Sequence, residues 1–471
     1  METIGVLVVS YGAREAAMVD ALARSQNYKV QFYIADKQLN PFNAEHATKH
    51  VVIPNLNIQD INKFAQTYKD KIDFAIVGSE KPIIDGLRDL IEAETGIPVV
   101  CPKKDYAIEE SKVKQRLLFE EIAPEANPRF KIFDPKDYQD TAAVKADVYK
   151  WLDELDNQAV VKPDKPAAGK GVGVWGDHFA NREELFEHFM SNFQYSAVII
   201  EEKVPGEESS CMAFCDGKHF IPLPETRDYK RAFDDDRGPN TGGMGSYKDV
   251  GDKLPFLTSA EHQNEIALAN KVFNGWSKKI NDSTALRGVP LYLAFMHTGQ
   301  GTKILEINSR PGDPESINLF PIIKDDFVDV CYKMIEGNLG SVGLEKAATV
   351  LTYKVPPDYG GYMNVFPDRV HKSDIGTPVD LSKAYELAKK YGDKIRVYPG
   401  SMEIRNGKNY TLKSRTIGIL GIGDSIEEAR QISQEGARAI SGGGLWNRTD
   451  IAAQQHIGKS VSHMEKLRNK A

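Results

Sequence analysis

The sequence predicts a multidomain α/β and α+β fold: an N-terminal domain built on a doubly wound parallel sheet, a central α+β unit, and a small C-terminal α/β domain. Three observations predict it. Apolar strand-like runs alternate with helical stretches over the first hundred residues, a short strand at mid-chain runs into a glycine-rich loop, and 471 residues exceed what one hydrophobic core usually serves.

Residues 4–10, IGVLVVS, read as a buried parallel strand, followed by a turn at Gly12 and a helix over 15–25. Strands over 29–35, 74–78 and 98–101 alternate with helices over 58–68 and 81–95, so the first domain spans 1–105. A helix carrying Glu109, Ser111 and Lys112 opens the central unit, 106–336, whose residues from about 120 to 200 form a mobile lid. Its strands are QAVVKPD (158–164), SAVIIEEKV (196–204), LYLAFMHT (291–298) and TKILEINS (302–309). A Gly/Asn-rich loop covers 234–245, and a long helix follows Ser259. Strands over 348–353 and 416–421 and a helix from Ser425 mark the last domain, 337–471.

The bulk numbers exclude several classes. Lys plus Arg total 60 against 67 Asp plus Glu, a net charge of -7, so no general cationic field exists for nucleic acid. Cys101, Cys211, Cys215 and Cys331 form no CxxC pair, and Cys211 and Cys215 fall on one face of a strand without partner ligands. No apolar run approaches the roughly 20 residues that cross a bilayer, and METIGVLVVSYGARE carries no basic leader, so a cytosolic protein without membrane partners is expected. His46 and His50, in the expected loop AEHATKH, read as solvated surface, and Trp175 and Trp446 as packing residues.

VVKPDKPAAGKGVGV (160–174) is the most informative segment. A strand delivers Lys162, and Ala167, Ala168, Gly169, Lys170, Gly171 and Gly173 then form a small-residue loop whose backbone N–H groups can approach phosphate oxygens. It is not a P-loop, because Gly171 stands where a hydroxyl would meet the metal. The strand 196–204 ends in Glu201 and Glu202, where a hinge backbone could meet an adenine edge, and Glu208 follows within reach of ribose hydroxyls. Glu306 and Asn308 alternate to one face of the strand ILEINS and offer oxygen ligands to a hard cation. Arg310 lies two residues beyond, of the right type for an acyl-phosphate oxygen.

In this order, the strand lysine with its glycine loop, the EE hinge and ExNxR resemble the ATP-grasp superfamily. Within it the chain is similar to the phosphoribosylamine–glycine ligase family from the first strand into the last fifty residues. The likeness is carried by VGSEKPIIDGL (77–87), ESK (110–112), KPDKPAAGKGV (162–172), DYKRAFDDDRGPNTGGMGSY (228–247), EINSRPGDPES (306–316) and LWNRTDI (445–451). The resemblance implies that Lys112, Lys162, Ala168, Gly169, Lys170 and Gly171 hold ATP phosphates. Glu201, Glu202 and Val204 would border adenine, Glu208 would hold ribose, and Glu306 and Asn308 would ligate Mg²⁺ or Mn²⁺. Asp228, Lys230 and Arg310 would serve the reacting groups, with Asn240, Thr241, Gly242, Asp313 and Arg415 around the substrates. Gly12, Arg14 and Glu15 would receive the sugar phosphate at a helix N-terminus. The implied reaction joins glycine to 5-phosphoribosylamine through a glycyl phosphate in purine biosynthesis, by a monomer or homodimer. The chain departs from the family at SYGAREAA, with Ser10, Ala13 and Ala16, and at Tyr229, Pro311 and Lys413-Ser414.

Three other readings compete. Gly12 with Asp36 suggests a dinucleotide site, but Ser10 and Glu15 occupy the outer fingerprint positions. A nucleotide-binding relic without chemistry would not need both Glu306 and Asn308. The same scaffold could also ligate a related carboxylate and amine.

Overall fold

The computed structural model describes residues 1–165 and 171–470; of the expected phosphate loop, Ala167, Ala168, Gly169 and Lys170 lie outside the described residues. The first sheet is all parallel, in the order Ala47–Val52, Tyr28–Asp36, Glu2–Ser10, Phe74–Val77, Val99–Val100. Its central strand is buried on both faces, with Val6 and Val8 in one core and Leu7 and Val9 in another, which explains its unbroken apolar run. The helix Ala13–Ala23 follows directly from the Gly12 turn.

This sheet has five strands where the sequence suggests four. The expected loop around AEHATKH is a short helix, Pro41–His46, capped by Asn40, and an edge strand, Ala47–Val52. The edge strand is half-exposed throughout and lacks a clean alternation, so its sequence carries no strand signature. His46 stacks on Phe42 with ring centroids 4.3 Å apart, and His50 lies 3.4 Å from Asp36, so neither is plain solvated surface. The helix expected over 81–95 is broken by Gly86, at φ +90°, into Glu80–Asp85 and Leu87–Thr95.

Two antiparallel sheets form the middle of the molecule. The smaller runs Phe130–Phe133, Val198–Glu202, Ala159–Pro163, Gly173–Val174 and is covered by the helices Thr141–Glu154 and Arg182–Phe193 around a core of its own. The larger runs Phe220–Pro222, Glu207–Cys215, Gly288–Thr298, Gly301–Asn308, with Lys112–Ile122 and Ser259–Ser277 packed on one face. Cys211 and Cys215 both lie in that packed face as buried free thiols.

The last sheet is nonlocal. Its order is Arg227–Asp228, Gly245–Lys248, Ala348–Lys354, Ile417–Gly423, Ile395–Pro399, so its first two strands come from before residue 336. Between them a hairpin pairs Arg231–Phe233 with Arg237–Asn240, the second strand falling inside the expected Gly/Asn-rich loop 234–245. The first and last sheets are tied together through Asn40, whose Nδ2 donates to Pro399 O at 2.7 Å, and Gln38, whose Nε2 donates to Gly400 O at 3.1 Å. Among the described residues no helix is long and apolar enough to cross a membrane.

Behind the larger sheet, Glu225 is fully buried, bonded to His262 Nδ1 at 2.6 Å and to the Leu254 N–H at 3.0 Å. Burial, and then the charge of Glu265, push its carboxyl up from 4.5 to about 7. The folded protein therefore holds this proton more tightly than the unfolded chain, and stability falls as pH rises from 4.5 through about 7. Glu225→Gln is expected to flatten that slope. Urea midpoints at the two ends of the window check it, and an unchanged slope would contradict this account of Glu225.

Candidate active site

The strand Gly301–Asn308 ends at the meeting point of all these sheets. Because side chains alternate along a strand, Glu306 and Asn308 share a face, with Asn308 Nδ2 3.5 Å from Glu306 Oε1. Burial pushes the Glu306 carboxyl up, but Lys230, Lys112, Lys162 and Arg310 outweigh it and hold the group below its ordinary range. These four cations come from four separate stretches of chain. Arg310 continues the strand: its Nη2 donates to Glu109 Oε1 at 3.1 Å and to Asn308 Oδ1 at 3.4 Å.

Lys162, on the strand Ala159–Pro163 of the smaller sheet, places its Nζ 2.7 Å from Glu201 Oε2 and 3.4 Å from Leu305 O, one residue from Glu306. Glu201 is 2% exposed, and Arg116 also grips it, at 2.6 and 3.0 Å. Its side chain is therefore committed to two cations. Glu202 ties down Arg129 through its N–H and its guanidinium, both at 3.0 Å. Ladder pairing ends at Lys203, whose N–H donates to Gln158 O at 2.8 Å, and Val204 follows beyond it. Glu208, on Glu207–Cys215, is paired with Lys230. Gly171, the described end of the phosphate loop, accepts from His188 Nε2 through its carbonyl at 2.8 Å.

A second group surrounds Asp228. Its Oδ1 is buried and has no hydrogen-bond partner among the described residues. Burial first, and the carboxylate of Glu315 second, raise its pKa well above the usual range. Glu315 in turn is bonded to Tyr292. Thr241 bonds back to Lys230 O through its N–H (2.7 Å) and hydroxyl (2.9 Å), fixing the bend beside Asn240. Gly243 stands at φ +100°, and a Cβ there would fall 2.4 Å from Asp228 Oδ1, so only glycine leaves that carboxylate in place. Arg415 locks the wall: it donates to Gly242 O, to Asp313 O at 2.9 Å, and pairs with Asp313 Oδ2 at 3.0 Å.

In the first domain Gly12 precedes the helix Ala13–Ala23, but Glu15 Oε2 already accepts from the N–H groups of Tyr11 (3.2 Å) and Gly12 (3.0 Å). Arg14 is buried, bonded to Glu15 Oε1 at 2.9 Å and to Pro311 O at 3.0 Å. Gly12, Arg14 and Glu15 thus lie where the first domain meets the chain beyond Arg310, with the latter two engaged in internal contacts. Glu80, to which the sequence reading gave no role, lies 3.7 Å from Arg14 and 3.8 Å from Arg310 and bridges the two halves of the site. Glu109 and Arg116 were likewise missed as partners. Glu109 sits in the acidic run before Lys112, and only its pairing with Arg310, 201 positions away, marks it out.

The departures from the family pattern mostly face inward. Ser10 and Ala16 are fully buried, and Ser10 Oγ accepts from Asn43 Nδ2 at 2.8 Å. Tyr229 points away from Asp228 and Lys230, its hydroxyl accepting from the Ala452 N–H at 3.0 Å. Pro311 contributes its carbonyl to both Arg14 and Arg310. Asp36, the acid of the dinucleotide reading, is fully buried and held by Asn43 at 2.7 Å, so it presents no face to a ribose.

Known proteins resemble this chain over nearly its whole length. The phosphoribosylglycinamide synthetase N domain matches residues 4–110, and the phosphoribosylglycinamide synthetase ATP-grasp (A) domain matches 130–316. Phosphoribosylamine–glycine ligase of Methanocella arvoryzae is 37% identical over 466 residues, covering 98% of this chain and 99% of that relative. The Methanobrevibacter smithii protein of the same name is 34% identical over 470 residues, covering 98% and 100%. The crystal structure of phosphoribosylamine–glycine ligase from Thermotoga maritima superposes with a TM-score of 0.71 at 25% identity, covering 95% of this chain and 100% of that one. An ADP complex of N5-carboxyaminoimidazole ribonucleotide synthetase shares the fold, with a TM-score of 0.59 at 14% identity over 93% and 96% of the two chains. With full-length identity well above 30% and both domain models in register, the chain belongs to the phosphoribosylamine–glycine ligase family.

Proposed function

We propose that this chain is an ATP-dependent carbon–nitrogen ligase that joins glycine to 5-phosphoribosylamine, giving glycinamide ribonucleotide, ADP and phosphate. The observation that carries the reading is the convergence of Lys112, Lys162, Lys230 and Arg310 on the buried carboxylate of Glu306. Such a cluster suits a polyanion: Lys162 and Lys230 are held by Glu201 and Glu208, internal partners that phosphate oxygens would replace.

A carboxylate is a poor acyl donor because its oxygen leaves badly. In the proposed reaction a glycine carboxylate oxygen attacks the γ-phosphorus in line, the bond to the β-phosphate oxygen breaks, and ADP departs. The cations of Lys162, Lys112 and Arg310 would stabilise the charge that spreads over the transferring phosphoryl group. The amine nitrogen of phosphoribosylamine then adds to the acyl carbon of glycyl phosphate, inorganic phosphate leaves, and the nitrogen gives up a proton. Arg310 would hold the acyl phosphate, while Asp228, whose buried Oδ1 lacks a partner among the described residues, and Lys230 would face the incoming substrates. The lid segment, with a core of its own, would close over the intermediate and keep water from it.

Glu306 and Asn308 fit a hard divalent cation such as Mg²⁺, since the two side chains share one face, the Glu306 carboxyl is held ionised, and a turn of the Asn308 amide would bring its oxygen beside that carboxylate. Two protein ligands leave the remaining positions to phosphate oxygens and water, the usual arrangement for Mg²⁺. When bound, the cation would neutralise developing charge on the phosphates.

Two experiments test this. ADP formation by the purified chain is expected only when ATP, glycine and freshly generated phosphoribosylamine are all present, and activity with the amine left out at the same rate would overturn the ligase reading. Lys162→Met and Glu306→Gln are each expected to lower kcat by about 100-fold or more, the scale of losing a preorganised charge in a transition state. Circular dichroism should show both variants folded, and near-wild-type turnover in either would remove the nucleotide site from this position.

A further inference from the structure

Arg116 lies on the helix Lys112–Ile122, one turn beyond Lys112, with its side chain only 2% exposed. A guanidinium has five N–H donors, and here every one is used. Nε donates to Glu201 Oε1 at 2.6 Å and Nη2 to Glu201 Oε2 at 3.0 Å. Nη2 also donates to Leu305 O at 2.5 Å, while Nη1 donates to Ile304 O at 2.9 Å and Asn127 Oδ1 at 3.1 Å. A saturated, buried guanidinium has nothing left with which to hold a ligand. Its role must lie in what it connects.

The acceptors belong to three parts of the molecule. Glu201 ends a lid strand, Asn127 lies on the connection that enters the lid, and Ile304 and Leu305 belong to the strand that presents Glu306. Lys162 uses two of the same acceptors, Glu201 Oε2 at 2.7 Å and Leu305 O at 3.4 Å. Arg116 thereby fixes the frame in which the Lys162 ammonium sits, and it shares the countercharge that would otherwise belong to Lys162 alone.

The geometry points to Arg116 as a positioning residue for nucleotide binding: through Glu201 and the carbonyls of Ile304 and Leu305, it sets the Lys162 ammonium at a fixed distance from the strand carrying Glu306. With the guanidinium in place, one carboxylate serves two cations, and Lys162 can turn toward a phosphate without leaving Glu201 bare. Without it, Lys162 becomes the only countercharge of a buried carboxylate and is held back from the nucleotide. A lysine at 116 cannot substitute, because a compact ammonium lacks the planar fork that meets both carboxylate oxygens at once. This inference rests on the nucleotide site of the proposed ligase and goes beyond it by naming a residue that touches no substrate.

The test reads ADP affinity by calorimetry in the presence of Mg²⁺, so it stands apart from ligase turnover; if the wild-type chain bound ADP but formed no product, the proposed reaction would fail and this inference would still be judged. Arg116→Lys and Lys162→Met are each expected to weaken ADP binding about tenfold, and the double variant no more than about twofold beyond Lys162→Met, since residues acting through one another are not additive. The KM for glycine, where activity is measurable, should change less than about twofold in Arg116→Lys. Unchanged ADP affinity in Arg116→Lys, or losses that multiply in the double variant, would overturn the assignment. Should Arg116→Lys not fold, Asn127→Ala removes one of the five acceptors, and about a threefold loss that vanishes on the Lys162→Met background is expected; a multiplicative loss there would overturn it equally.

Discussion

An ionised carboxylate inside a protein persists only if something charged stays close to it. At the centre of this molecule Glu306 is kept ionised by Lys230, Lys112, Lys162 and Arg310 against the pull of burial. That balance constrains the whole architecture, because the cations arrive from the strand Ala159–Pro163, the start of a helix, the link between Arg227–Asp228 and the hairpin 231–240, and the turn just beyond the strand that carries Glu306 itself. No single element could supply them. The sheets must meet for the charge to be matched, and the match is made among protein groups, with Lys162 on Glu201 and Lys230 on Glu208. A triphosphate would enter a site whose cations are already oriented and whose internal partners are carboxylates it can replace.

The same logic extends toward the first domain. Arg310 links Glu109 and Asn308, Glu80 stands between Arg310 and Arg14, and Arg14 bonds to Pro311 O. This alternating row of charges runs from the metal-type face to the Gly12 turn. Buried ion pairs gain little net stability over apolar packing, but they fix geometry, and here they do so beside an apolar core that the first sheet shares with Phe214, Phe320 and Phe327.

The parts of the site that were legible in the sequence are those written in local patterns. Glu306 and Asn308 are readable because two residues along a strand share a face, and Lys162 because an apolar run ends in lysine just before a glycine-rich loop. The parallel first sheet was equally plain, since its central strand is apolar on both faces. What the sequence hides depends on distance along the chain. Arg116 in KVKQRLLFEE looks like one more charge on a surface helix, and only folding brings it to Glu201, 85 positions away. The edge strand Ala47–Val52 escaped because half-exposure on both faces erases alternation. The hairpin within 231–240 escaped because glycine and asparagine read as loop. Tyr229 looked like a change in the pocket, yet alternation turns it away from Asp228 and Lys230 toward Ala452.

The mixed parentage of the last sheet has a consequence for how such a protein can be assembled from parts. Strand Gly245–Lys248 pairs with Ala348–Lys354, and Arg227–Asp228, which presents Asp228, hangs from it. The backbone that carries this carboxylate is thus held in register by residues more than a hundred positions downstream. Exchanging the C-terminal third between relatives would transplant half of a hydrogen-bonded ladder, and a chimera joined near residue 336 would have to re-form that ladder between strands of different ancestry. Recombination within this family is therefore expected to succeed at seams that keep strands 227–248 and 348–423 from one parent, whatever the linear order of the domains suggests.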